Sequence, residues 1–142
     1  MIADRASIDG KRETIRSLFA AASAGQFDTA LAFYTDDRPT YSFPRADGTE
    51  TCCGKEAIRA FYKSVRARYS SALVFVPRTI IVEGNVGVIE WDQSATTPRG
   101  EPYTNSGMHI FEFTADGLIQ HARSYLDTAP LTRMLRAARG AR

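Results

Sequence analysis

The order of patterns along the chain limits the fold more than any single motif does. The first half carries helical periodicity, in which Ile15, Leu18, Phe19 and Ala22 share one helix face. The second half carries four strand-like segments separated by turn sequences: Leu73–Glu83, Val86–Ala95, Tyr103–Phe113 and Leu118–Asp127. Helices followed by an antiparallel meander indicate the α+β class, so we predict a cone-shaped, curved antiparallel sheet covered by three N-terminal helices.

The connecting segments complete this outline. A second, shorter helical stripe begins at Phe27, and a third helix is predicted from Lys55 to about Tyr69. Between them, Arg45–Gly54 is polar and rich in turn-forming residues. Pro130 opens a short final helix whose arginines are most simply a solvated face. These arginines are Arg133, Arg136, Arg139 and Arg142.

Length and charge exclude several classes of protein. The 142 residues predict a single domain over 1–142, and 44% hydrophobic and 24% charged residues are ordinary for a globular protein. The apolar stretches are too short to span a membrane. A net charge of +2 is too balanced to predict a nucleic-acid partner. We therefore expect neither a membrane nor a nucleic acid to be the partner.

Cysteine and histidine usage points to a reduced compartment without a metal centre. Cys52 and Cys53 are adjacent, so a bridge between them would be strained and two free thiols are expected. The only two histidines are His109 and His121, which do not form a metal-ligand spacing with the cysteines. Met1–Arg5 lacks the pattern of a signal peptide. We expect a cytoplasmic protein that uses no cofactor and no metal.

Strand alternation predicts the direction of several polar side chains. In Tyr103–Phe113 the odd positions carry aromatic residues such as Phe111, so this face is expected to be buried. His109 and Asn105 lie on the same face. A buried histidine is either a hydrogen-bonded core residue or a catalytic group, and the pattern leaves both open.

The even positions of Leu118–Asp127 are expected to face inward as well, Ser124 among them. Tyr34 and Tyr62 fall on the inner faces of two helices, where core packing is the simplest interpretation. Their hydroxyl groups would still need hydrogen-bond partners.

The segment Val86–Ala95 has two possible orientations. Glu90 and Asp92 share one face, whereas Ile89 and Trp91 share the other. If the acidic face is inside, two carboxylates about 7 Å apart enter one pocket. Repulsion and desolvation would then raise a carboxyl pKa and create a general acid or base. If the aromatic face is inside, the carboxylates are solvated.

Four sequence strings resemble the SnoaL-like branch of the nuclear-transport-factor-2-like superfamily. They are Ala24–Asp28, Phe33–Asp37, Gly54–Tyr62 and the stretch from Ala115 to Asp127. The resemblance implies a cystatin-like α+β fold over nearly the whole chain. The same fold hosts cyclases, isomerases, epoxide hydrolases and non-catalytic binding domains, so the resemblance constrains the fold more than the activity.

Comparison by position shows which of the family's polar groups this chain keeps. The resemblance places His109 at the long-strand histidine of SnoaL-type cyclases, and Ser124 at the position of their aspartate base. Asp92 matches the strand aspartate of limonene-epoxide-hydrolase-like enzymes. Glu90 of this chain stands where those enzymes carry an arginine. Ser42 and Phe43 stand where ketosteroid isomerases carry their base. This placement favours the orientation with Glu90 and Asp92 inside.

These observations predict a cofactor-independent cyclase or isomerase that acts by acid–base catalysis on an apolar, polyketide-type substrate. Asp92, tuned by Glu90, would be one proton-transfer group and His109 its counterpart. The predicted substrate-binding residues are Tyr34, Tyr41, Ser42, Tyr62, Asn105, Phe111 and Ser124.

Two alternatives remain open. The same residues could open an epoxide, by an internal hydroxyl to give a cyclic ether or by water as in an epoxide hydrolase. The chain could also be a non-catalytic, ligand-binding and dimerising module. A homodimer is expected because the outward orientation of Ile89, Trp91 and Tyr125 would expose apolar surface.

Overall fold

A computed structural model describes residues 4–140 and divides them into four helices and six strands. They are α1 (Ile8–Ser23), α2 (Phe27–Leu31), β1 (Thr40–Arg45), β2 (Gly48–Cys53), α3 (Lys55–Arg66), β3 (Val74–Glu83), β4 (Val86–Thr96), β5 (Pro102–Phe113), β6 (Ile119–Leu126) and α4 (Thr128–Gly140). The predicted α+β class with N-terminal helices is confirmed, and β1 and β2 of the sheet precede the third helix. Residues 1–3 and 141–142, including Arg142 of the predicted final helix, lie outside the described residues.

The six strands form one open sheet in the order β2-β1-β6-β5-β4-β3. The predicted purely antiparallel sheet is wrong at one pair, because β1 lies parallel to β6 through Thr40–Ser42 and His121–Arg123. These two strands are far apart in sequence, so no hairpin forces them to run in opposite directions. The sheet is therefore mixed.

The segment Arg45–Gly54 is not a loop throughout. Arg45 pairs with Gly48, so Ala46 and Asp47 form a tight two-residue turn and β2 folds back along β1. Gly48 has a φ of 137°, which only glycine adopts without strain. The turn-rich sequence thus produces a hairpin at the edge of the sheet.

Helix α1 covers the sheet with its apolar face. Its first turn is capped by the Ser7 hydroxyl, which accepts a hydrogen bond from the Gly10 N–H at 2.9 Å. Ile15, Leu18 and Phe19 are almost completely buried in the main hydrophobic cluster, which joins the three N-terminal helices to the sheet. Among residues 4–140, no helix is both long and apolar enough to cross a membrane.

A second, smaller cluster holds the C-terminal helix in place. Tyr69, Leu73, Tyr103 and Met134 pack together, so α4 is joined to β5 and to the segment that follows α3. The side of α4 that carries Leu131 and Leu135 borders the same space. This arrangement brings the final helix to the open end of the sheet.

Candidate functional site

A cavity of about 520 Å³ lies between the inner face of the sheet and the helices α1, α3 and α4. Its walls are largely aromatic: Phe19, Phe43, Phe61, Phe75 and Trp91 all line it. Such a size and composition are typical of sites that take small, mostly apolar molecules.

The orientation of β4 decides which polar groups reach this cavity. Ile89, Trp91 and Gln93 are buried on the inner face, with exposed fractions of 0%, 1% and 7%. The predicted inward orientation of Glu90 and Asp92 is therefore wrong. Burying an indole and an isoleucine is favourable because it removes apolar surface from water. Burying two carboxylates would be unfavourable because both would lose their hydration.

On the outer face, both carboxylates have polar neighbours. Asp92 accepts a hydrogen bond from the Ser106 hydroxyl at 2.8 Å and lies 3.5 Å from the Arg78 guanidinium. Glu90 accepts a hydrogen bond from Thr79 at 3.2 Å. Neither carboxylate lines the cavity, so neither can act as the predicted proton-transfer group there.

Three side chains at the cavity wall form a continuous hydrogen-bond chain. The Trp91 indole N–H donates to His109 Nδ1 at 2.8 Å, and His109 Nε2 lies 2.7 Å from the Tyr41 hydroxyl. Trp91 has room for this contact because Gly107 faces it across the strand pair; a Cβ at Gly107 would lie 2.7 Å from the indole ring. His109 faces inward as the alternation of β5 predicted.

The partners of His109 determine its protonation. An indole N–H can only donate, so Nδ1 must keep its lone pair. Burial lowers the pKa of His109 to about 3, so the ring is neutral at pH 7 and its single proton lies on Nε2. His109 therefore donates to the Tyr41 oxygen, and it is not a general base near neutral pH.

Tyr41 is left with an available proton. Because its oxygen accepts from His109, its own O–H group can donate to another acceptor. Burial raises the pKa of Tyr41 above its usual range, and the nearby Ser124 hydroxyl partly offsets that rise. Tyr41, Ser124 and His109 all line the cavity. The arrangement places the neutral Tyr41 O–H group at the cavity wall, next to the Ser124 hydroxyl.

The other predicted tyrosines form a separate pair. The hydroxyl groups of Tyr34 and Tyr62 lie 2.7 Å apart, and burial raises the pKa of both well above the usual range. Tyr62 lines the cavity, but Tyr34 is buried behind it and does not. The cavity therefore gives no support to the predicted contact between Tyr34 and substrate, since the Tyr34 hydroxyl is paired with that of Tyr62.

Three more predicted binding residues lie elsewhere. Ser42 points to the outer face of β1, where its hydroxyl lies 2.9 Å from that of Thr51. Asn105 is buried, and its side-chain amide donates to the Asp127 carbonyl at 2.8 Å, directly after the end of β6. Phe111 is fully buried and stacks against His109 with the ring centroids 5.6 Å apart. None of the three lines the cavity, so the cavity gives no support to their predicted substrate contacts.

Several lining residues were not predicted as site residues. Helix α3 and the turn after it supply Phe61, Arg66, Arg68 and Tyr69. Helix α4 supplies Leu131, Leu135, Arg136 and Arg139. The sequence favoured a solvated face for the two arginines and gave no prediction for the two leucines. The spacing of the two leucines and two arginines places them on one side of the helix. This spacing is the only signal in the sequence that they line the cavity together.

The fold and the cavity together define a small α+β domain of the NTF2-like type. Solved structures that share this fold include the following three. An NTF2-like protein of unknown function from Burkholderia pseudomallei is 21% identical with a TM-score of 0.78, covering 87% of this chain and 95% of that one. TerC, co-crystallised with polyporic acid, is 20% identical with a TM-score of 0.77, covering 89% and 98%.

The third is a protein from Jannaschia sp. CCS1 described as a SnoaL-like polyketide cyclase; it is 19% identical with a TM-score of 0.75, covering 87% of this chain and 90% of that one. Among curated proteins, none matches this chain. The family model for the SnoaL-like domain matches residues 15–122. The chain belongs to the SnoaL-like domain family, as the resemblance of its sequence strings predicted.

Proposed function

We propose that this protein binds an apolar carbonyl compound in the cavity and promotes its enolisation, leading to ring closure or isomerisation of a polyketide-type intermediate. The observation that carries the proposal is the chain of hydrogen bonds from Trp91 through His109 to Tyr41. A neutral donor held in a buried site is suited to stabilise the negative charge that develops on a carbonyl oxygen.

In the proposed reaction the cavity walls orient the substrate and Tyr41 donates a hydrogen bond to it. The aromatic walls hold a flexible substrate in one conformation, which removes part of the entropic barrier to ring closure. The Tyr41 O–H donates to the carbonyl oxygen, and the neighbouring C–H proton leaves to water. Asp47, at the rim, is the one carboxylate among the lining residues within 4–140. The substrate must therefore supply an acidic C–H bond, as a dicarbonyl compound does.

The cavity offers few groups that could act as a base, which favours non-catalytic ligand binding as the competing function. A non-catalytic binding module would use the same cavity and would use Tyr41 only to orient its ligand. Epoxide opening is less well supported, because it needs a base at the attacking hydroxyl or water as well as an acid at the epoxide oxygen. Binding alone is therefore the second candidate.

The first test measures the hydrogen bond from Tyr41 to a bound carbonyl group. The probe is 2-tetralone labelled with ¹³C at its carbonyl, observed by isotope-edited infrared spectroscopy. In the wild-type protein, donation by Tyr41 should lower the C=O stretching frequency relative to that in an apolar solvent. Tyr41→Phe should abolish this shift while the probe still binds.

Tyr69→Phe is the matched control, because Tyr69 also lines the cavity and is buried. This variant should retain the shifted carbonyl band. The same band position in the wild-type protein and in Tyr41→Phe would refute the proposed donor.

We also propose that two copies of the chain associate through the outer face of the sheet. The predicted reason is corrected in part, because Ile89 and Trp91 are buried inside. Val76, Ile81 and Tyr125 are nevertheless 55%, 59% and 50% exposed. Covering them in an interface would remove apolar surface from water.

Sedimentation equilibrium at micromolar concentration should give twice the chain mass. Ile81→Lys should shift the equilibrium toward the monomer, since it places a charge in the proposed contact. Ile8→Lys is the matched control, because Ile8 is 38% exposed on α1, away from the outer face of the sheet, and this variant should leave the sedimenting mass unchanged. A wild-type protein that sediments as a monomer would contradict this interface.

A further inference from the structure

Five arginines stand among the lining residues, although the inner walls of the cavity are aromatic. They are Arg45, Arg66, Arg68, Arg136 and Arg139. The only acidic side chain among the lining residues within 4–140 is Asp47. Positive charge is therefore concentrated around a cavity whose remaining surface is mostly apolar.

Two of the five already have partners. Arg45 forms an ion pair with Glu50, and Arg66 donates to the Tyr69 carbonyl at 3.1 Å. Arg68, Arg136 and Arg139 form no ion pair and no side-chain hydrogen bond within the described part of the chain. Arg136 and Arg139 are three residues apart on α4, so they project from the same side of the helix.

Arg68 is the most constrained of these groups. It is partly buried, it lies close to Tyr69 and Tyr103, and the positive charge of Arg45 is near enough to act on it. Burial, with a smaller contribution from Arg45, lowers the pKa of the Arg68 guanidinium. An anion placed between the two guanidinium groups would relieve their repulsion and satisfy unpaired donors.

We propose that the substrate is an amphipathic carboxylic acid whose apolar body fills the aromatic part of the cavity and whose carboxylate binds Arg68; Arg136 and Arg139 lie on the α4 wall of the same cavity. This inference rests on the proposed function and names the chemical class of its substrate. A carboxylate fits better than a more highly charged group, because one partly buried guanidinium offers a planar, bidentate site for a single negative charge.

The chain provides its own reporter of binding. Trp91 is the only tryptophan, and it lines the cavity. Its fluorescence, excited at wavelengths where a simple phenyl group does not absorb, should change when a ligand enters. Calorimetric titration would give the same dissociation constants independently.

The experiment compares 6-phenylhexanoate with 6-phenylhexanamide, two probes of equal size that differ in charge. The wild-type protein should bind the carboxylate about tenfold more tightly, since hydrogen bonds to a charged group contribute roughly 1.5 kcal/mol or more. Arg68→Gln should lower this ratio to near one by weakening the carboxylate alone. Arg68→Lys should retain part of the preference.

Arg133→Gln is the matched control, because Arg133 lies on α4 but does not line this cavity. It should keep the full preference. Equal affinity for the two probes, an unchanged ratio in Arg68→Gln, or no binding of either probe at millimolar concentration would overturn the proposal. Because the Tyr41 test reads a carbonyl band and this one reads a charge preference, the failure of one proposal can be distinguished from the failure of the other.

Discussion

Replacing Tyr41 with phenylalanine is expected to slow enolisation in the cavity by about 100-fold, in line with the loss of one preorganised donor to a developing oxyanion. The measurement is hydrogen–deuterium exchange at the carbon next to the carbonyl of 2-tetralone, followed by NMR in D₂O. Since the phenyl ring is kept, the aromatic wall and the cavity volume should change little. The dissociation constant of the probe should therefore change much less than the exchange rate.

The variants around Tyr41 test the origin of the effect. His109→Gln keeps one acceptor for Trp91 and one donor for Tyr41, so its exchange rate should lie between those of the wild type and Tyr41→Phe. Asp92→Asn should exchange at the wild-type rate, because Asp92 is on the outer face. If the wild-type protein accelerates exchange no more than Tyr41→Phe does, the cavity binds without catalysing.

The residues that sequence alone placed correctly are those whose strand has one clearly apolar face. Aromatic residues repeat along the odd positions of β5, so the inward direction of His109 could be predicted. The hydrogen bonds of His109 could not, because they depend on the register that brings Trp91 next to Gly107. A sequence pattern contains no information about that cross-strand space.

The wrong orientation of β4 has a similar cause. Both of its faces carry apolar residues, Val86 and Val88 on one and Ile89 and Trp91 on the other, so alternation alone does not choose between them. The choice is made by tertiary packing, in which Phe75 and Phe19 contribute an aromatic environment for the indole and the imidazole. Family resemblance favoured the acidic face, because it compares positions rather than packing.

The wall formed by α4 was hidden for another reason. Arginine at regular helical spacing is equally compatible with a solvated face and with a lined cavity, since long side chains can extend their charged ends into water in both cases. Only the position of the helix at the open end of the sheet shows that this face lines a cavity and is not a solvated face. That position depends on contacts between Met134 and residues far away in sequence, such as Tyr69 and Tyr103.

Folding stability is expected to fall by about 2 kcal/mol between pH 7 and pH 5 because of His109 alone. The pKa of this side chain falls from an ordinary value of 6.5 to about 3 in the folded protein. At pH 7 the imidazole is neutral in both states, so it has no effect on the unfolding equilibrium. Below pH 6.5 the unfolded chain takes up a proton that the folded chain excludes, which favours unfolding increasingly until the pH approaches 3.

Protonation in the folded state is opposed by the geometry as well as by burial. A charged imidazole would carry N–H groups on both nitrogens, and Nδ1 would then face the indole N–H of Trp91 donor to donor. Urea unfolding at a series of pH values, followed by the fluorescence of Trp91, measures the effect. A loss of 2 kcal/mol corresponds to a decrease of roughly 5–8 °C in Tm for a domain of this size.

The two histidines provide matched variants. His109→Gln should be less stable than the wild type at pH 7 but should lose much less stability between pH 7 and pH 5. His121→Gln should keep the full pH dependence, because the Tyr41–His109–Trp91 chain is intact in it. A wild-type protein whose stability is constant over this range would show that burial does not lower the pKa of His109, and its assignment as a donor kept neutral by burial would then fail.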